Sequence, residues 1–111
     1  MNSNNLSLPQ DQIDAIRHNI QQKKYDRALE LLNTISNKEN NLDVVNRITA
    51  SVYLYKKDWE NSLLYYQKIH NKNNFDISNN MGVALYKLGR FLEASTMFEQ
   101  TITLNNKYIP A

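Results

Sequence analysis

An all-α fold, built as three antiparallel pairs of helices stacked in a row, is what this sequence predicts. Three observations carry that prediction. Apolar residues recur at helical spacing through most of the chain. Gly and Pro number only two each, too few for the turn-rich punctuation of an all-β domain. Aligned residues also recur at a near-constant period: Tyr25, Trp59 and Phe91 stand 34 and 32 residues apart. Ala28, Ser62 and Ala94 follow in register, then Leu32, Tyr66 and Phe98, with Ile16, Ala50 and Gly82 aligned upstream. Small residues let two helices approach, and large ones fill the space beside them.

Each element has its own signal. Residues 1–7 are polar and expected to be disordered, and Ser7-Leu8-Pro9-Gln10 has the spacing of a capping box with Pro in the first turn. The first helix is then expected to run through Ile13, Ile16 and Ile20 to about Gln22, with a turn at Lys23-Lys24. Its partner runs from Tyr25 to Ser36, with Ala28, Leu32 and Ile35 on one face. Asn37 to Asn41 is a polar break, repeated at Asn71 to Asn74, where Asn suits a helix end because it enters the left-handed conformation readily. Between the breaks, 42–56 and 59–70 form the second pair, with Val45, Thr49, Ala50 and Tyr53 as an inward stripe. The third pair occupies 75–88 and 91–104, with Gly89 at its turn.

Length and composition bound the function. A chain of 111 residues has room for one core, burying roughly 65% of its unfolded surface. There is no Cys, which excludes disulfides and thiolate chemistry. The opening residues have neither the basic nor the apolar run of an ordinary signal peptide, and no segment approaches the ~20 apolar residues of a membrane span. A cytoplasmic protein without membrane contact is expected. A net charge of +2 is too mild to imply nucleic acid. With Gly only at 82 and 89, neither a P-loop nor a dinucleotide fingerprint can be written. His18 and His70 lack ligand partners at metal spacing; His18 is expected to pack between helices and His70 to favour a helix C-terminus. No enzyme activity, catalytic residue, cofactor or metal is therefore expected.

The stretch Asn79 to Leu104 resembles the tetratricopeptide repeat, through Met81-Gly82 followed by Leu85, and Ala94 followed by Phe98. Ser78 stands where that family usually has Trp, and Asn106 where it has Pro. The resemblance spans 8–106, about three tandem repeats, and leaves 107–111 as a tail or the start of a further repeat. An unrelated bundle of helical hairpins is the alternative. The resemblance implies a right-handed α-solenoid whose first helices line a concave groove.

It also implies which residues face that groove: Ile13, Arg17 and Gln21, then Arg47, Ser51 and Tyr55, then Asn79, Val83 and Lys87, with Tyr86 beside them. No acid stands among these, so an acidic segment of a partner protein is the expected ligand. Some family members hold chaperone tails with a carboxylate clamp. The matching positions here carry Ile13, Arg17, Ile48, Asp76 and Asn80, of which only Arg17 has the clamp's charge, so that role is not expected.

The basic residues Lys23, Lys24, Lys56, Lys57 and Arg90 read either as a ridge for an acidic partner or as cations favoured at helix C-termini; the second reading is preferred. The last helix carries an apolar arc of about 160°, leaving Met97 and Leu104 on an open edge unless Tyr108 or Ile109 folds back. A homo-oligomer through that helix, or the amino-terminal part of a larger protein such as a transferase, is thus the alternative to a peptide-binding scaffold.

Overall fold

Three turns in identical conformation set the architecture. In the computed structural model, which describes residues 6–106, Lys23, Lys57 and Gly89 take left-handed backbone with φ of 60°, 65° and 79°. Each lies between the two helices of a pair: α1 (Gln10–Gln21) and α2 (Tyr25–Asn33), α3 (Leu42–Tyr55) and α4 (Trp59–Gln67), α5 (Phe75–Lys87) and α6 (Phe91–Asn106). Around each, the amide of the left-handed residue donates three residues back, to Ile20, Leu54 and Tyr86. The next amide donates five back: Lys24 to Asn19 at 2.8 Å, Asp58 to Tyr53 at 2.9 Å, Arg90 to Leu85 at 2.9 Å. These are Schellman closures, which satisfy the last carbonyls of a helix while reversing the chain. Only one of the three uses the residue best suited to it.

The ends of α2 and α4 also repeat. Both stop earlier than expected, because a side chain from the first helix of the same pair captures the departing backbone. Gln12 Oε1 accepts from the amide of Ser36 at 2.9 Å. In the next pair Asp43 accepts from the amides of His70 at 2.9 Å and Asn71 at 3.2 Å. Ile35 and Ile69 are buried all the same, from non-helical backbone just beyond the helix. The two amide bonds lower the Asp43 pKa, with a further contribution from the His70 ring at 3.1 Å.

Several local expectations give way here. Ser7 does not form the capping box: Pro9 occupies the N-cap and α1 begins at Gln10 with no side-chain cap. Among the Asn residues of the two breaks, Asn37 alone is left-handed, at φ 62°, leading into a 3-10 turn at Lys38–Asn40. Asn74 instead caps α5, its side chain accepting from the Asp76 amide at 2.7 Å. His18 is exposed rather than packed, and His70, just beyond the end of α4, faces Asp43 in the first turn of α3.

The interior divides at α3. Val45 and Val52 face the first pair, with Ile16, Ala28, Leu32 and Ile35. Ala50 faces the other way, with Leu63, Tyr66, Ile77, Met81 and Leu85. Each pair thus buries its apolar surface against its neighbours, as in a solenoid. Val52, outside the expected stripe, is fully buried, whereas Tyr53 is half-buried and stacks on Tyr65 with ring centroids 5.5 Å apart. The small residues act as expected: Ala28, Ser62 and Ala94 are all buried, and Ser62 donates to the Ala50 carbonyl at 2.8 Å. At Gly82 the approach is closest, since a Cβ there would sit 2.6 Å from the Phe98 ring.

On α6, Met97 and Leu104 are half-buried, so the open edge lies elsewhere. Leu92 (88% exposed), Phe91 and Ile102 carry it. The helix reaches Asn106, and Tyr108 and Ile109 lie outside the described residues. Two of the five basic turn residues are paired. Lys56 pairs with Asp26 at 2.6 Å, a hydrogen bond that raises its pKa, and Arg90 pairs with Glu93 at 2.6 Å.

Candidate functional site

The first helices of the three pairs present the ten residues singled out for the groove. On α1, Ile13 is half-buried while Arg17 and Gln21 are exposed; on α3, Arg47 and Tyr55 are exposed and Ser51 half-buried. On α5, Val83 is half-buried, and Asn79, Tyr86 and Lys87 are exposed. Recurrence every three or four residues puts each set on one helical face. Burial of the aliphatic members and exposure of the polar ones follow from that placement.

Five of the ten meet in one pocket. A cavity of about 390 Å³ between α1 and α3 is lined by Ile13, Arg17, Arg47, Ser51 and Tyr55, together with Ile16, Ile20, Val44 and Ile48. Those last four were not among the expected groove residues. Their signal was present in the sequence, since 13, 16 and 20 on one helix and 44 and 48 on the next form apolar stripes at helical spacing. Gln21, Asn79, Val83, Tyr86 and Lys87 do not line it.

The cations at its rim are not without partners. Arg17 lies 3.6 Å from Asp14, and Arg47 lies 3.7 Å from Asp76 across the gap to α5. All four side chains are about half exposed or more, so water screens both pairs and each is worth little. The expectation that the groove cations lack neighbouring carboxylates is therefore corrected. Neither Asp14 nor Asp76, however, lines the pocket itself.

A hydrogen-bond chain through Tyr66 of α4 joins α3 and α5. Ser51 Oγ donates to the Arg47 carbonyl at 3.0 Å, so the Tyr66 hydroxyl, 3.0 Å away, donates to Ser51 Oγ. The Asn80 amide donates to the same hydroxyl at 2.9 Å. Burial raises the Tyr66 pKa, against the opposing effect of the bond it accepts from Asn80. The phenol is kept protonated, and it ties α3 to α5.

Aromatic residues close the junctions between pairs. Tyr25 stacks on Tyr55 with centroids 6.1 Å apart, and the Lys87 ammonium sits 5.7 Å from the Trp59 ring. Within the third pair, Tyr86 meets the Phe91 ring edge-on at 5.2 Å.

Among the described residues no group of three His, Asp or Glu side chains is placed to hold a metal ion. No helix among them is long and apolar enough to cross a membrane. What this face offers chemically is a shallow apolar depression with a cationic rim.

No protein-family model matches the chain, and no curated protein does. Among solved structures it is similar to the second tetratricopeptide-repeat (TPR) domain of Spaghetti (RPAP3), bound to the HSP90 peptide SRMEEVD. The TM-score is 0.73 at 19% sequence identity, over 85% of this chain and 89% of that one. At this identity the likeness is one of fold. The three pairs form a TPR-like helical solenoid.

Proposed function

We propose that this chain, which has the tetratricopeptide-repeat fold, is a non-enzymatic scaffold that holds a peptide segment of another protein along α1, α3 and α5. The domain would comprise 8–106, and a cytoplasmic location would suit it. The observation that carries the reading is the pocket between α1 and α3, where Arg17 and Arg47 stand over an apolar floor that no carboxylate lines. The structural neighbour is itself bound to a peptide, which supports a peptide ligand for this fold.

That neighbour's ligand belongs to HSP90, but a chaperone tail does not suit this groove. At the positions matching the carboxylate clamp, Ile13 and Ile48 line the apolar pocket and Asp76 faces Arg47. An acidic segment must instead compete with Asp14 and Asp76 for Arg17 and Arg47. Exposed ion pairs of this kind contribute about 0–1 kcal/mol each, so binding will be modest and will fall with salt. Pull-down from the native cell, with the chain and with its Arg17→Ala, Arg47→Ala, Lys87→Ala triple variant as baits, tests the reading. A protein captured by the first and lost by the second supports it; equal capture refutes the groove.

Self-association is the second reading, favoured by the exposure of Phe91, Leu92 and Ile102 on α6. Light scattering on the chain and on Leu92→Lys separates the two. A concentration-dependent dimer abolished by the substitution supports assembly, and a monomer in both excludes it.

A further inference from the structure

We infer that α6 pairs with α6 of a second copy of this chain, antiparallel about a two-fold axis that passes between Ser95 and Phe98. This rests on the self-association reading above and adds its surface, its register and its symmetry. Phe91, Ser95, Phe98 and Ile102 succeed one another at spacings of four, three and four. At about 100° per residue they fall within about 60° of each other, on one narrow stripe. Phe91 and Ile102 are each 61% exposed, Ser95 is exposed and Phe98 is half-buried. Leu92 borders the stripe, and no charge stands within it; Glu93, on another face of the helix, is bound to Arg90.

What the earlier pairs place at these four positions identifies the occupant. The first pair has Tyr25, Leu29, Leu32 and Ser36, and the second has Trp59, Leu63, Tyr66 and His70. Leu29 and Leu32 pack with Val45 and Val52 of α3, and Leu63 and Tyr66 with Ile77 and Leu85 of α5. The third pair departs from that pattern three times. Ser95 replaces the Leu, Ile102 replaces Ser or His, and α6 runs on for 16 residues where α2 and α4 have 9, which keeps the whole stripe helical. A further first helix like α3 or α5 would leave a gap over Ser95. A second α6 fills it. With the axis midway between Ser95 and Phe98, Phe98 of each copy lies opposite Ser95 of the other, and Phe91 lies opposite Ile102. Large thus meets small on both sides of the axis, as a self-complementary two-fold contact requires. A parallel pairing would instead set Phe98 against Phe98 and Ser95 against Ser95. Covering the stripe in both copies buries on the order of 1,000 Å² in total, the low end for a specific interface. A weak dimer that dissociates on dilution is therefore expected.

The experiment is light scattering of the full chain over a wide concentration range, repeated on Ser95→Leu, followed by disulfide trapping. Ser95→Leu makes the exposed face more apolar, so general stickiness would strengthen with it. In the two-fold pairing the added side chain meets Phe98 of the other copy, and the dimer is expected to weaken by about tenfold or more through overpacking. The chain has no Cys, so single substitutions Phe91→Cys and Ile102→Cys report the register directly. Both positions are exposed enough for the fold to survive. When the two variants are mixed and oxidised, the disulfide joining one to the other is expected to exceed either homodimer several-fold. Like positions would lie about 16 Å apart along the helix axis, beyond the roughly 7 Å between Cα atoms that a disulfide can span. A dimer that Ser95→Leu leaves unchanged or strengthens, or homodimers trapped as readily as the mixed species, would overturn the antiparallel pairing and leave self-association standing. A monomer at every concentration, with no disulfide trapped in any mixture, would overturn both.

Discussion

Tyr25, which opens α2, stacks on Tyr55 at the end of α3, and one repeat later Trp59 meets Lys87 in the corresponding place. The aromatic residue that opens a second helix thus packs against the end of the next first helix, closing the seam between consecutive pairs. Phe91 occupies the same position in the third pair and is 61% exposed, because among the described residues no following helix covers it. Trp59→Ala should therefore cost about 2 kcal/mol, less than the 3–5 of a fully buried aromatic. Phe91→Ala should cost under about 1 kcal/mol. Urea unfolding of the two variants checks the order; equal losses would remove the seam from the argument.

Gly82 is required by Phe98. A Cβ at 82 would meet the ring at 2.6 and 2.8 Å, far inside van der Waals contact. Although Ala is the better helix former by about 1 kcal/mol, Gly82→Ala should destabilise by about 1–3 kcal/mol through overpacking. Adding Phe98→Leu should recover part of the loss. Non-additive unfolding energies in that double-mutant cycle are the expected signature.

The three Schellman turns predict gains as well as losses. Lys23 and Lys57 hold φ near 60°, a conformation that costs an L-residue with a Cβ about 1–2 kcal/mol. Gly in their place removes that cost but adds unfolded-state entropy. Lys23→Gly and Lys57→Gly should each stabilise by about 0.5–1 kcal/mol, and Gly89→Ala should destabilise by about 1 kcal/mol. Thermal melts would show midpoints moving in opposite directions.

Asp43 makes stability depend on acid. Its folded pKa lies below the ordinary 3.8, chiefly through the amides of His70 and Asn71. A carboxylate with a depressed folded pKa contributes stability above its unfolded pKa and loses it as pH falls through the folded value. The difference in unfolding midpoint between the protein and Asp43→Asn should be constant at neutral pH and shrink as pH drops below 3.8. A difference that does not change with pH would mean the charge of Asp43 is immaterial.

Six helices, their pairing and their order were legible in the sequence, because helical period and a repeat of 34 and 32 residues are properties of the chain itself. So was the burial of Ala28, Ser62 and Ala94, which the repeat placed in register. Helix ends were not: α2 and α4 stop where Gln12 and Asp43 capture backbone amides from 24 and 27 residues away. No local signal encodes a bond of that separation. The same holds at the groove. Spacing puts Arg47 and Tyr55 on one side of their helix, and the resemblance to the repeat family implied that Arg17 would share their face. That Asp76 would come to lie beside Arg47, that Tyr66 would tie Ser51 to Asn80, and that Val44 and Ile48 would join Ile13 and Ile16 in one pocket depended on how neighbouring pairs pack. Periodicity fixes which face of a helix a residue occupies; the packing of one pair on the next decides which residues from different helices meet there.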